Sequence, residues 1–68
     1  MEPGRAVFLL YTNHRGTTAR RRVVPLRLSF EATPWHPTPQ WILWALDVDK
    51  GQERGFAMSS VHSWEAAP

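Results

Sequence analysis

The alternation of apolar and polar residues along this chain predicts four short β-strands. They cover residues 6–12, 20–30, 41–48 and 53–58. In the second strand, Leu26, Leu28 and Phe30 alternate with polar residues, a period of two that is typical of a strand with one buried face. Pro25 interrupts the same strand. Because proline cannot donate to a ladder, it predicts an edge position or a β-bulge.

Glycine marks the two tight turns of the chain. Gly16 ends the turn between the first two strands, and Gly51 lies in a hairpin turn at residues 49–52, since glycine adopts positive φ without strain. After the last strand, residues 59–64 predict a short helical turn capped by a serine.

The connection between the second and third strands, residues 31–40, has an unusual composition. Three prolines surround Trp35 and His36. A loop with an aromatic residue at its tip is often a binding loop, and these two side chains are candidates for a base-stacking platform. In the alternative interpretation, Trp35 folds back and covers one end of the domain.

Four short antiparallel strands without a long helix leave few architectures. Such strands bury their faces by curling into a small barrel or by packing face to face. A chain of 68 residues holds one core at most. We therefore expect a single all-β domain over residues 1–68, with loose ends at residues 1–5 and 65–68.

Composition narrows the function classes. The chain has no cysteine, which excludes disulfides and thiolate metal sites. Aromatic residues make up 12% of it, more than a disordered chain carries. No apolar run approaches the roughly 20 residues of a membrane helix, and no signal peptide precedes a cleavage site. These features predict a soluble, cytoplasmic binding or assembly module.

Charge is distributed unevenly along the chain. Residues 1–34 carry six arginines against two glutamates, whereas residues 35–68 carry two basic residues against four acidic ones. Arginine grips phosphate or carboxylate at two points, which lysine does not do. The asymmetry has two readings: an anion-binding face, or pairing of one copy with another.

The order of these motifs resembles the WYL domain, a family named for a Trp-Tyr-Leu tripeptide that opens a central strand. The tripeptide here is Trp41-Ile42-Leu43. The resemblance covers about residues 7–62 and rests on Tyr11, Gly16, the segments 21–28, 41–47 and 54–58, the Lys50-Gly51 pair and Val61.

The resemblance implies an SH3-like, Sm-like β-barrel that senses a ligand, often a nucleotide or single-stranded nucleic acid, commonly in transcription regulators. No helix-turn-helix fits in this chain, so it is similar to a stand-alone sensing module. A complete barrel of this type has a fifth strand near the C-terminus. We expect four to five antiparallel strands in a partly open barrel, the last being truncated, very short or supplied by another copy.

Candidate ligand-binding residues come from the basic half and the proline-rich loop. They are His14, Arg15, Arg21, Arg22, Arg27 and Trp35. The expected ligand is anionic, such as a nucleotide or single-stranded nucleic acid. For the run at residues 20–22, the alternative is a solvated strand edge blunted by charge.

Tryptophans carry the second reading, a protein–protein or homodimerisation module without a small ligand. Trp41 and Trp44 have opposite strand parity, so we expect one in the core and the other either under a loop or at a self-association surface. Trp44 and Trp64 are the candidate self-association residues. The three histidines lack metal-ligand spacing, and no nucleophile, base and orienting group fall together. We expect no metal, no cofactor and no enzymatic activity.

Overall fold

Five antiparallel strands and one 3₁₀ turn form the fold of the computed structural model, which describes residues 5–67. The strands are β1 (Val7–Thr12), β2 (Thr18–Glu31), β3 (Gln40–Asp47), β4 (Gln52–Ala57) and β5 (Val61–Ala66), with the 3₁₀ turn at Met58–Ser60. They form one sheet in the order β4-β3-β2-β1-β5. The sheet is not closed, so the prediction of an all-β fold of four to five antiparallel strands in a partly open barrel is confirmed.

The long strand β2 bends the sheet into a barrel. Its first half, residues 18–23, pairs with β1, and residues 23–31 pair with β3. The register shifts between Pro25 and Arg27, which is a β-bulge at the predicted place. A bulge bends its strand and increases the local twist, so one strand serves both halves of the barrel.

The core fills the concave side of the sheet. Tyr11 meets Phe56 edge to face with ring centroids 4.9 Å apart. The half-buried Met58 and Val61 pack against this cluster from the 3₁₀ turn and β5. Its buried members are Val7, Leu9, Tyr11, Val23, Leu43, Ala45 and Phe56.

The second half of β2 is not buried as its alternation predicts. Leu26, Leu28 and Phe30 are 52%, 49% and 60% exposed. The prediction fails because β1 begins at Val7, opposite Val23, and so nothing from β1 covers the rest of β2. Residues 27–31 of β2 and 40–44 of β3 therefore form an arm with no strand on its β2 side within the described residues. On the other side β4 pairs with residues 42–44, so only residues 40–41 extend past β4.

The chain supplies its own fifth strand. β5 pairs with β1 along its length, with Trp64 opposite Leu9 and Ala66 opposite Val7. The strand that was expected to be truncated or borrowed is thus six residues of this chain. The prediction of a loose end from residue 65 is wrong for Glu65 and Ala66, which belong to β5.

The predicted helical turn at residues 59–64 is shorter than expected. Only Ser59 and Ser60 lie in the 3₁₀ turn, which starts at Met58, and the following residues are extended. The predicted loose ends at residues 1–4 and 68 lie outside the described residues.

Asp47 closes the β3–β4 hairpin. Its side chain is 1% exposed, and Oδ1 accepts the amides of Asp49 and Lys50 at 3.2 and 3.3 Å. The Arg54 guanidinium donates to Oδ2 at 3.4 Å. Gly51 has φ +65° in this turn, a conformation that favours glycine.

Candidate functional site

A cleft of about 440 Å³ lies beside the free edge of β4. The proline-rich loop forms one wall, and the two hairpin turns that follow β1 and β3 form the ends. Its lining residues are Tyr11, Asn13, His14, Thr33, Trp35, His36, Trp44, Lys50, Gln52, Glu53, Arg54 and Gly55.

A tight turn presents Trp35 to this cleft. The backbones of Thr33 and His36 donate to each other's carbonyls at 2.8 and 3.1 Å, and Thr33 Oγ1 also accepts the His36 amide. Pro34 and Trp35 occupy the tip, and the indole is 63% exposed. The alternative in which Trp35 covers an end of the core is therefore wrong.

His36 connects this turn to the barrel. Its Nε2 lies 3.4 Å from the Tyr11 hydroxyl, which is buried among the core side chains. The same hydroxyl accepts the Ala57 amide at 3.4 Å. These contacts join the loop to β1 and β4, so the position of Trp35 is set by the barrel.

Trp44 forms the wall opposite the loop. Its Nε1 donates to Ser29 Oγ at 2.9 Å and to Glu31 Oε2 at 3.0 Å. Its ring lies over Gly55, where a Cβ would come within 3.1 Å of both Trp44 Cζ3 and Ile42 Cγ2. The indole is thus held within its own chain, and Gly55 leaves the space that it needs.

Glu31 is held as an anion beside this wall. Ser29 Oγ donates to Glu31 Oε2, and this hydrogen bond is the main reason why the pKa of the Glu31 carboxyl is lowered. The Trp44 indole and the nearby Arg27 charge lower that pKa further.

Unpaired backbone groups of β4 face the cleft. The Ala57 amide points away from β3, toward Tyr11. Because successive residues of a strand point their backbone groups to opposite sides, the backbone groups of Gly55 and Glu53 share this direction. β4 is an edge of the sheet, so these donors and acceptors have no strand partner among residues 5–67.

The charges of the cleft are mostly balanced within the chain. Arg54 is paired with the buried Asp47 at 3.4 Å, and Glu53 accepts from Arg27 at 2.5 Å. Lys50 is exposed and makes no ion pair within the described residues. Lys50 offers positive charge to a ligand at one end of the cleft, and the His14 imidazole lies at the opposite end.

The predicted arginines do not converge on this site. Arg15 lies in the β1–β2 turn, and Arg21 and Arg22 are opposite Leu9 and Phe8 in β1 and therefore point to different faces. Arg27 contacts Glu53 and lies over Trp44, 5.2 Å from the ring centre.

Arg20, from the same basic run, lies at the far side of the sheet. Its guanidinium is 4.1 Å from the centre of the Phe8 ring and 3.7 Å from Glu65. Of the six predicted ligand-binding residues, only His14 and Trp35 line the cleft. The arginine run of β2 is spread over both faces of the strand rather than gathered in one concavity.

Sequence reasoning missed the β4 side of the cleft. Lys50 was part of the hairpin turn and of the WYL resemblance but was not a candidate ligand-binding residue, and the role of the Gly55 backbone depends on β4 being an edge strand. A glycine within a predicted strand does point to a close approach by another group, and here that group is Trp44.

The tryptophans proposed for self-association lie in different settings. Trp44 is half-buried in the cleft wall, and Trp64 is 39% exposed on β5. Trp41 is 53% exposed on the other face of β3. The expectation that Trp41 or Trp44 lies in the core is wrong: Trp41 lies beyond the end of the β3–β4 pairing, and Trp44 lies half-buried over Gly55.

Comparison with known proteins identifies no relative. No protein-family model, curated protein or solved structure matches the chain. The resemblance to the WYL domain therefore stays a prediction. Within residues 5–67, no helix is long and apolar enough to cross a membrane, and no three His, Asp or Glu side chains are grouped to hold a metal ion.

Proposed function

We propose that this chain is a non-enzymatic binding module whose cleft takes one nucleotide, either free or as a unit of single-stranded nucleic acid. One observation carries the proposal: a single concavity holds an exposed indole, together with backbone groups and a lysine that have no partner in the described part of the chain. A volume of about 440 Å³ lies within the range of small-molecule sites.

The base is the part of the ligand that Trp35 recognises. Stacking on an exposed aromatic ring contributes about 1–3 kcal/mol per base and tolerates any base. The fixed turn at residues 33–36 lowers the entropy lost when the ring is ordered. The backbone groups of Glu53 and Gly55 offer a donor and acceptor row to the polar edge of the base.

The phosphate is the part that Lys50 and His14 recognise. Lys50 supplies a point charge, and His14 adds a second donor. Arg54 contributes little charge because Asp47 already neutralises it. With so few free cations, binding depends only weakly on salt, since about one counterion is released per neutralised phosphate.

The WYL resemblance implies the same ligand class from different residues. It also implies a sensing role in transcriptional regulation, which remains a prediction for this chain. The cleft supports the ligand class through Trp35 and the β4 edge, and the arginine run has no part in it.

Calorimetric titration with a nucleoside monophosphate and with a short single-stranded oligonucleotide tests the proposal. Trp35→Ala weakens binding about 10-fold or more, as loss of a stacked base requires. Lys50→Gln weakens it several-fold and flattens its salt dependence. The matched controls are Trp41→Ala, which removes another exposed tryptophan, and Arg22→Gln, which removes an exposed cation without an ion pair among residues 5–67. Both lie outside the cleft and bind like the wild type.

Two outcomes contradict the proposal. One is the absence of measurable heat from the folded wild type with millimolar nucleotide and with oligonucleotide. The other is an equal loss of affinity in the cleft variants and in their controls, which would place the ligand elsewhere on the chain.

A further inference from the structure

The β2–β3 arm carries a second, separate surface along an unpaired strand edge. β1 pairs with β2 only as far as Val23. On that side, residues 24–31 of β2 have no strand partner among the described residues. An exposed, apolar strand edge is a ready template for pairing with another strand.

The backbone of this edge points outward at Leu28 and Phe30. The Ala57 amide points away from β3, so Ile42 and Trp44 direct their backbone groups toward β2. The backbone groups of Ser29 and Arg27, which pair with these two residues, point back toward β3. The backbone groups of Leu28 and Phe30 therefore point to the free edge of β2.

The side chains at this edge form an apolar patch. Leu28, Phe30 and Trp41 lie on one face of the arm and are 49%, 60% and 53% exposed. Phe30 meets Trp41 edge to face, with ring centroids 5.5 Å apart. The patch presents roughly 300 Å², a size at which exposed apolar patches are often functional. None of its three members lines the cleft.

The sequence of the edge is complementary to itself. Leu28 and Phe30 are the neighbours of Ser29 on its two sides. Arg27 and Glu31 are the next residues outward. When two such strands pair antiparallel around a two-fold axis at Ser29, each Arg27 faces a Glu31, and each Leu28 faces a Phe30.

We infer that the arm is a dimerisation surface on which β2 of one copy pairs with β2 of a second copy, centred on Ser29. The outward backbone groups of Leu28 in one protomer and Phe30 in its partner then donate to each other. This register makes a continuous sheet across the two-fold axis and joins the two apolar patches on one face.

Charge selects a second copy as the occupant of this edge. Arg27 is 57% exposed although it holds Glu53, and its guanidinium has donors left for another carboxylate. The pKa of Glu31 is lowered chiefly by the hydrogen bond from Ser29, which favours the carboxylate form that pairs with an arginine. Pro25 and the bulge end the pairing segment, because Pro25 has no amide to donate.

The size of the surface predicts a weak dimer. Edge-to-edge pairing brings each Leu28 against a Phe30 of the partner and leaves the faces of the sheet in water, so the buried area stays below the roughly 1,000 Å² of a stable interface. Dimerisation therefore depends on concentration and is sensitive to a single repulsive pair.

Sedimentation velocity over a concentration series tests this inference. The wild type shifts from monomer to dimer as concentration rises. Arg27→Glu and Glu31→Arg each place like charges opposite one another at both ends of the segment, and each weakens dimerisation at least 10-fold. Glu65→Arg reverses an exposed carboxylate on β5, outside this surface, and leaves dimerisation unchanged.

Mixing the two single variants is the decisive experiment. At one end of the paired segment, the carboxylate introduced by Arg27→Glu faces the guanidinium introduced by Glu31→Arg. At the other end, the unchanged Glu31 of the first variant faces the unchanged Arg27 of the second. A heterodimer therefore forms although each variant alone is monomeric. This rescue excludes loss of folding as the cause of the single-variant defect.

Three results would overturn the inference. The wild type could stay monomeric at millimolar concentration. Both single variants could dimerise like the wild type, which would move the interface to another surface such as β5. Folded single variants could also fail to associate when mixed, which would reject the register.

Discussion

At the scale of single residues, Glu31 has the best-defined electrostatic environment. Ser29 and Trp44 both donate to its carboxylate, and the charge of Arg27 lies nearby. These contacts favour the ionised form, so the pKa of Glu31 in the folded chain is lower than its ordinary value of 4.5. The unfolded chain has none of them.

This difference makes stability depend on pH in the acid range. Because the pKa is lower in the folded state, Glu31 contributes stability that is complete above pH 4.5 and is lost as pH falls through the lowered folded pKa. Thermal unfolding of the wild type and of Glu31→Gln from pH 6 downward measures this contribution of Glu31 to stability. The melting temperatures of these two proteins converge toward acid pH. Ser29→Ala removes one of the hydrogen bonds to Glu31, so its pH-dependent difference from the wild type is smaller than that of Glu31→Gln. Parallel pH profiles for the wild type and Glu31→Gln would contradict this expectation.

At the scale of elements, the β3–β4 hairpin depends on one buried carboxylate. Asp47 holds two turn amides and the Arg54 guanidinium, which is itself 30% exposed. The hairpin also brings Lys50 to the end of the cleft, so the same contacts position a proposed ligand-binding residue.

Removing this carboxylate weakens the hairpin. Asp47→Ala lowers the free energy of unfolding by about 2–3 kcal/mol, because it leaves Arg54 and two amides without their acceptor and Arg54 retains some access to water. Asp47→Asn keeps an acceptor for the amides and costs about 1–2 kcal/mol. Urea unfolding measures both, and the exposed Asp49→Ala stays within about 0.5 kcal/mol of the wild type. A loss for Asp49→Ala equal to that of Asp47→Ala would refute this assignment.

The elements also separate what the sequence could predict from what it could not. Alternation located β2 and Pro25 located its bulge, since both signals are local. Alternation also predicted that Leu28 and Phe30 are buried, and here it failed. Burial depends on whether β1 reaches that far, which no pattern within β2 encodes.

The candidate site also has one part that the sequence predicts and another that it does not. Trp35 was predictable because three prolines and an aromatic residue stand together in the sequence. The Lys50 and Gly55 side was not, because its character comes from β4 being the last strand of the sheet. The arginine run was a clear signal in the sequence, yet strand geometry turns its neighbours Arg21 and Arg22 to opposite faces.

At the scale of the whole molecule, the fold separates two surfaces of different chemistry. The cleft combines an indole, free backbone groups and a cation, whereas the arm presents an apolar patch on its other face. A second copy paired along β2 therefore contacts Leu28 and Phe30, neither of which lines the cleft.

Dimerisation at the arm makes thermal stability depend on concentration. A partner that binds only the folded chain raises its stability by mass action, so the Tm of the wild type increases from micromolar to millimolar protein. Arg27→Glu removes that increase and keeps one Tm over the same range. Scanning calorimetry measures both, with Glu65→Arg behaving like the wild type. An equal rise in Tm for Arg27→Glu would attribute the effect to some other contact.

The described chain enters and leaves the barrel at one place, where the Ala67 amide donates to the Ala6 carbonyl at 3.2 Å. Two polypeptides fused to the opposite ends would emerge side by side. The barrel is therefore suited to insertion into a surface loop of a host protein, where closely spaced attachment points disturb the host least. The same spacing permits circular permutation, with new ends opened in the exposed turn at Gly51.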